Sequence, residues 1–172
     1  MKAYPYSTFS LRDAVVSDLP AIVAIYNSTI PGRMVTADTE PVSVESKVAW
    51  FEAHNPKTRP LWVLMDGSAV CAWLSFNSFH PRPAYYPTVE ISIYVAESHR
   101  RQGHGKKLLQ EAIERAPACD TKTLVGLIWG HNLPSLELFK SFGFETWGHM
   151  PKVAIMDGIE RDLEIVGLRV AD

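Results

Sequence analysis

The sequence predicts a mixed α/β fold, and three observations carry that expectation. Short apolar runs and amphipathic stretches succeed one another in the order β-α-α-β-β-β-α-β-α-β-β. The middle of the chain, Thr88 to Leu109, is a strand rich in Val, Ile, Thr and Tyr that passes through a glycine loop into a helix. The strongest hairpin signal, Asp66-Gly67, joins two apolar runs.

Taken in order, residues 1–8 read as a loose leader, and residues 1–172 as one domain. Phe9 and Leu11 alternate with Ser10 and Arg12, as a short strand requires. Ser17 is placed to cap a first helix with the stripe Leu19, Ile22, Val23 and Tyr26. Ser28 to Pro41 reads as a loop, and Ser43 can cap a second helix to about His54, with Val44, Val48 and Phe51 inward. After a polar break, Leu61–Met65 and Ala69–Phe76 form the hairpin. Ser78 to Pro87 carries three prolines and cannot lie inside a sheet. It leads directly into the central strand, which makes it a candidate wall of a substrate pocket.

The central strand covers Thr88–Val95 and the polar loop Ala96–Arg101. The helix beyond places Leu108, Leu109, Ala112, Ile113 and Ala116 on one side. Pro117 to Lys122 is a turn, Thr123–Trp129 a buried strand, and Pro134 or Ser135 opens a helix that Gly143 stops. Phe144–Met150 and Leu163–Val170 complete the order around an Asp157-Gly158 turn.

Composition narrows the function classes. A chain of 172 residues buries about 70% of its unfolded surface in one core. No apolar run approaches the ~20 residues of a membrane span, and the N-terminus lacks the apolar stretch of a signal peptide. Two cysteines, one in an apolar strand and Cys119 in a polar loop, make neither a disulfide framework nor a metal cluster. His54, His104, His131 and His149 show no metal-ligand spacing either. A cytoplasmic protein fits these features. With a net charge of −2, nothing drives the chain toward nucleic acid or an anionic membrane.

Positive charge is instead local. Arg100, Arg101, Lys106 and Lys107 surround Gln102-Gly103-His104-Gly105 at the helix start. The first amides of a helix are unpaired and sit at the positive end of its dipole, and glycines let a bulky anion approach them. A polyphosphate is the leading ligand; a tight turn with a solvated basic surface is the alternative. A Walker loop fails because Lys107 stands where a hydroxyl is needed, and a dinucleotide fingerprint fails at Leu108. Glu90 is the candidate acid–base residue. Strand alternation sets it with Ser92 and Tyr94 on one face, where a carboxylate is costly unless used or paired. A structural ion pair remains the other reading.

The motif Arg100-x-x-Gly103-x-Gly105 resembles the pyrophosphate loop of the GNAT N-acetyltransferase superfamily. Thr88-Val89-Glu90-x-x-x-Tyr94-Val95, Asn132-x-Pro134-Ser135, Gly143-Phe144, Ile25-Tyr26-Asn27 and Thr39-Glu40-Pro41 are similar to its phosphinothricin acetyltransferase branch. The resemblance implies a mixed, mostly antiparallel twisted sheet with helices on both faces, splayed between the fourth and fifth strands. It implies acetyl-CoA as co-substrate, no metal, a homodimer, and direct transfer to the primary amine of a small molecule, an amino acid or its analogue. In that scheme Glu90 is the general base. Ile93, Tyr94 and Val95 pair with pantetheine through their backbone, and the Val95 amide polarises the thioester carbonyl. Arg100, Arg101, Gln102, Gly103, His104, Gly105 and Lys106 hold the pyrophosphate. Asn132, with Ser135, meets the pantetheine, although from the residues alone a turn or N-cap asparagine is the better reading of Asn132.

Two departures qualify that expectation. Many relatives carry tyrosine, and this branch histidine, seven residues after the asparagine; this chain has Phe139, which donates no proton. The thiolate then leaves without that acid, which a thiol pKa of ~8.5 tolerates, or Tyr94 or another hydroxyl serves instead. The branch also carries Asn-Phe-Arg before Thr-Glu-Pro, where this chain has Thr36-Ala37-Asp38. An acid there repels a carboxylate and argues against phosphinothricin itself. Arg33 or Arg82 could supply the missing cation, His80 and Tyr85 flank the same region, and Asp38 would favour a cationic amine. A protein or peptide acetyltransferase and a non-catalytic CoA-binding module are the alternative functions.

Overall fold

A computed structural model describes residues 9–172; the expected leader, residues 1–8, lies outside them. The strands are β1 (Phe9–Asp13), β2 (Leu61–Asp66), β3 (Ala69–Ser78), β4 (Thr88–Val95), β5 (Thr123–Trp129), β6 (Glu145–Met156) and β7 (Ile159–Arg169). The helices are α1 (Leu19–Thr29), α2 (Val48–Glu52), α3 (His104–Arg115) and α4 (Leu133–Ser141). The strands form one sheet in the order β1-β2-β3-β4-β5-β7-β6. Every adjacent pair is antiparallel except β4–β5. Among the described residues no helix is long and apolar enough to cross a membrane.

Alternation along the strands sorts side chains into two layers. On one face Leu64, Leu74, Phe76, Val89 and Ile91 pack against Leu108, Leu109 and Ala112 of α3 and Phe139 of α4. Leu108 and Leu109 are fully buried, which stabilises the fold by about 1.5–3 kcal/mol each. On the other face Val63, Met65 and Trp73 pack against Ile22 and Ile25 of α1, with Trp50 and Phe51 of α2 alongside. The expected mostly antiparallel sheet with helices on both faces is the observed one.

The strand-to-strand turns follow the sequence. Gly67 stands at φ +59° between β2 and β3, and Gly158 at +77° between β6 and β7. Other expectations need correction. Asp18, not Ser17, organises the start of α1: its carboxylate accepts the Val15 amide at 2.8 Å and pairs twice with Arg12, at 2.7 and 2.9 Å. The second helix is a single α-turn preceded by a 3-10 turn at Glu45–Lys47, with Val48 38% exposed and Trp50 turned inward. Strand β6 runs on past Met150 to Met156 and β7 begins at Ile159 rather than Leu163, so both reach the Asp157-Gly158 turn; Lys152, Glu160, Arg161 and Asp162 interrupt the apolar pattern there. Cys119 is buried in the α3-side core rather than in a polar loop, and both cysteines are free thiols.

Candidate active site

The site forms because β4 and β5 part company. Their parallel pairing runs only from Thr88↔Thr123 to Glu90↔Val125. Beyond Glu90, β4 keeps its partner on the β3 side, up to Val95↔Ala72, while its other edge opens onto a cleft. That splay is the one expected between the fourth and fifth strands. Ile91 to Val95 form one wall of the cleft. Leu127 and Ile128 of β5, Asn132, Ser135, Leu138 and Phe139 form the other, with Gly105 at its end.

The mouth of the cleft leads to the start of α3. Gly103 takes the N-cap position at φ +84°, a left-handed conformation natural only to glycine, and no side chain caps the helix there. The free amides of the first turn are therefore available to an anion. Arg101, itself at φ +61°, and Lys106 are exposed around them. Arg100 is braced by a hydrogen bond from its Nε to the Val95 carbonyl at 3.3 Å, and Gln102 by one to the Ser98 carbonyl at 3.0 Å. A Cβ on Gly105 would already touch Leu138 at 3.6 Å, so a larger side chain there would narrow the cleft. An open strand edge, apolar walls and a free helix N-terminus fit an extended pantetheine arm and its diphosphate. His104 contributes its backbone, rather than its ring, to this loop. Its imidazole turns inward onto the Phe9 ring at 4.5 Å, and burial pushes its pKa down, so only its backbone faces the anion side.

A second cavity lies on the α1–α2 face of β4. Aromatic rings shape it: Tyr94 stacks on Trp73 at 4.4 Å, Trp50 meets Trp73 edge-on at 5.6 Å, and Tyr26 lies 5.2 Å from Tyr94. Ser75, Asn77 and Ser92 add polar groups, and Lys47 adds a cation. Trp50 Nε1 donates to Asn77 Oδ1 at 3.2 Å, and Asn77 Nδ2 donates to Ser75 Oγ at 3.0 Å, so the polar floor is ordered. Ser92 and Tyr94 line both cavities. An acyl group in the cleft and an acceptor in the aromatic cavity would meet there.

Glu90 lies one alternation before Ser92 on the same face, about 7 Å along the strand, and opposite Asn77. Among the described residues no hydrogen bond or ion pair engages it, and burial raises its pKa above the ordinary carboxylate range. The structural ion pair weighed from the sequence is absent among those residues. Tyr94, half-buried, has its pKa raised by burial first and by Tyr26 and Glu90 next, so its hydroxyl keeps its proton.

The remaining sequence candidates separate clearly. Asn132 is the cap of α4: its Oδ1 accepts the Ser135 amide at 3.3 Å, while its Nδ2 donates to the Met34 carbonyl at 2.8 Å. It lines the cleft with one amide hydrogen left for a ligand. Arg33 is not a pocket residue. Its guanidinium is held by Asp157 in the β6–β7 turn at 2.8 Å and by the Ile30 and Thr39 carbonyls. Asp38 accepts the Tyr26 hydroxyl, which stands behind the aromatic cavity. His80, Arg82 and Tyr85 are exposed and line neither cavity. The proline loop is pinned away from the site by Arg59, which bonds Ser78 Oγ at 3.0 Å and the Tyr86 carbonyl at 2.7 Å. Phe139 lies against Phe144 at 4.9 Å and fills the space over Gly126.

The segment 33–38 closes the end of the cleft through three bonds that the sequence did not announce. His131 Nε2 donates to the Arg33 carbonyl at 2.8 Å, Asn132 to Met34, and Trp129 Nε1 to the Thr36 carbonyl at 3.4 Å. Asn27 meanwhile clamps Val42 in both directions, at 2.9 and 3.0 Å, which ties the Thr39-Glu40-Pro41 motif to α1.

Comparison with known proteins decides what this architecture is. The model of the acetyltransferase (GNAT) family matches residues 22–144, which include β4, the glycine loop and both cavities. The chain belongs to the GNAT acetyltransferase family. It is an acyltransferase, and acetyl-CoA is the co-substrate of such enzymes. Within the family, this chain is 52% identical to "Putative phosphinothricin acetyltransferase YwnH" of Bacillus subtilis (strain 168), over 92% of this chain and 97% of that one. It is 36% identical to an L-methionine sulfoximine/L-methionine sulfone acetyltransferase of Pseudomonas paraeruginosa, over 94% of both chains. The crystal structure of a GNAT superfamily phosphinothricin acetyltransferase from Sinorhizobium meliloti in complex with AcCoA superposes with a TM-score of 0.89. It is 30% identical and covers 95% of this chain and 89% of its own.

Proposed function

We propose that this GNAT enzyme acetylates the primary amine of a free amino acid or amino-acid analogue, by direct transfer with Glu90 as general base. One observation carries the proposal: the cleft and the aromatic cavity share Ser92 and Tyr94, with an unpartnered carboxylate of raised pKa beside them. Acetyl-CoA supplies an acetyl group already activated as a thioester. Ile93 to Val95 hold its arm by their open backbone edge, and the Gly103–Lys106 amides and cations hold its diphosphate. An amine with a pKa near ~10 enters as ammonium and must lose a proton before its nitrogen bonds to the acyl carbon. Glu90 accepts that proton, directly or through one water. The C–S bond then breaks, and Tyr94, protonated and adjacent, is the donor to the departing sulfur in place of Phe139.

The aromatic cavity holds only about 90 Å³, which favours a small acceptor over a peptide. Relatives named for phosphinothricin, methionine sulfoximine and methionine sulfone make those compounds the first acceptors to try. Asp38, already bonded to Tyr26, opposes a carboxylate less than the sequence suggested. In the test, thiol release from acetyl-CoA is measured across amino acids and these analogues. Turnover of at least one, lost in Glu90→Gln while acetyl-CoA still binds, supports the reading. Tight acetyl-CoA binding with no acceptor turned over would refute it.

The same proposal places the enzyme in the cytoplasm as a homodimer. Strands β6 and β7 expose Trp147, Met150, Val153, Ile155 and Ile159, which a second copy would cover. Sedimentation at twice the 19.2 kDa chain mass is the expected outcome, and a monomer would refute that part.

A further inference from the structure

Lys47 is the only charged residue among the described residues that line the aromatic cavity. It ends the 3-10 turn before α2, where its half-buried stem brings Nζ over the Tyr26 ring, 5.1 Å from the centroid. Among the described residues it makes no ion pair. Asp38, the carboxylate bonded to Tyr26, is engaged by the Tyr26 hydroxyl. The other cations considered for the site are removed from it: Arg33 is bound to Asp157, and Arg82 is exposed on the proline loop. A cation without a counter-ion, in a basin otherwise lined by rings, aliphatic chains and neutral polar groups, is arranged to receive an anion from a ligand.

We infer that Lys47 is a specificity-determining residue that binds the α-carboxylate of the acceptor and so selects amino acids over simple amines. The inference rests on the acceptor reading above. The geometry orders the parts. Lys47 stands over Tyr26, Tyr26 lies beside Tyr94, and Tyr94 faces the cleft, so a carboxylate held at Lys47 turns the neighbouring α-amine toward Ser92 and Tyr94. The acceptor's side chain is left for the edge-to-face rings of Trp50 and Trp73, which offer apolar surface for a methyl or sulfonyl end. A lysine also keeps a positive charge close to the reacting amine, which favours the neutral, nucleophilic form.

The test compares methionine sulfone, whose only anionic group is its carboxylate, with the same molecule lacking that carboxylate, 3-(methylsulfonyl)propan-1-amine. In Lys47→Met the KM for methionine sulfone rises about tenfold or more, as loss of a charge-assisted contact implies, while kcat changes less than about threefold. The KM for the decarboxylated amine stays within about twofold, and Lys47→Arg recovers most of the loss. Binding is read separately from the tryptophan fluorescence of the cavity, so the inference stands or falls even if nothing is acetylated. Lys47→Met weakening methionine sulfone binding without turnover would sustain Lys47 and refute the catalytic reading. Equal losses with both acceptors, or none with either, would overturn the assignment of Lys47.

Discussion

The two cavities that meet at β4 are built on different principles. The cleft is made mostly of backbone: an unpaired strand edge, a glycine in a left-handed conformation and the free amides of a helix start. The aromatic cavity is made of side chains from α1, the turn before α2, β3 and β4, brought together across more than 70 residues of sequence. A backbone site can recognise a constant ligand and tolerates little change in its glycines. A side-chain site can be re-specified residue by residue without disturbing the other. In the proposed function the acetyl donor belongs to the first, and the choice of acceptor to the second.

That division can be broken most strongly at the junction. Glu90→Gln is expected to lower kcat by about 10²–10³-fold with acetyl-CoA affinity unchanged, read by steady-state kinetics and calorimetry. In the native enzyme kcat/KM falls as pH drops through the raised pKa of Glu90, and the variant loses that acid limb. Stability moves the other way. Because the folded pKa lies above the unfolded 4.5, the folded chain binds this proton more tightly, and the ionised carboxylate destabilises the fold as pH rises through the folded value. Glu90→Gln is thus expected to raise the melting temperature by about 2–4 °C at pH 8, a gain that vanishes below pH 4.5. An unchanged rate would mean that the base lies elsewhere.

Next in size, Gly103→Val puts a β-branched residue at φ +84° and is expected to raise the acetyl-CoA KM about tenfold with the acceptor KM unmoved. If both constants shifted, the two cavities would not be separable. Tyr94→Phe removes the hydroxyl but keeps the stacked ring, and about a three- to tenfold loss of kcat is expected, with both KM values held. The smallest effect is remote. Asp18→Asn weakens the entry to α1, which carries Ile22, Val23 and Tyr26, and is expected to lower the melting temperature by about 2–4 °C at pH 7. Arg12 depresses the Asp18 pKa below 3.8, so this stabilisation is present above pH 3.8 and lost as pH falls through the folded value, where variant and parent should converge.

Legibility in the sequence follows the same line. The strand Thr88–Val95, the strand Thr123–Trp129 and the Asp66-Gly67 turn could be read because period and turn chemistry are local signals. The glycine loop could be read for the same reason. Arg33 was plausible by charge, but its partner could not be read locally, since the anion it meets, Asp157, lies in a turn 124 residues away. Lys47, Trp50 and Trp73 carried no local mark at all. Asn132 carried two readings, and its cap role is visible only once Met34 is beside it.

By itself, then, the order of residues determined the periodic elements, the anion-binding turn and the lone acid on the central strand, because each is dictated by neighbours within a few positions. Tertiary structure decided which partner each cation meets and which side chains line the aromatic cavity. Those are properties of contacts between distant segments, and a contact's partner is chosen by packing of the whole sheet rather than by the residues on either side.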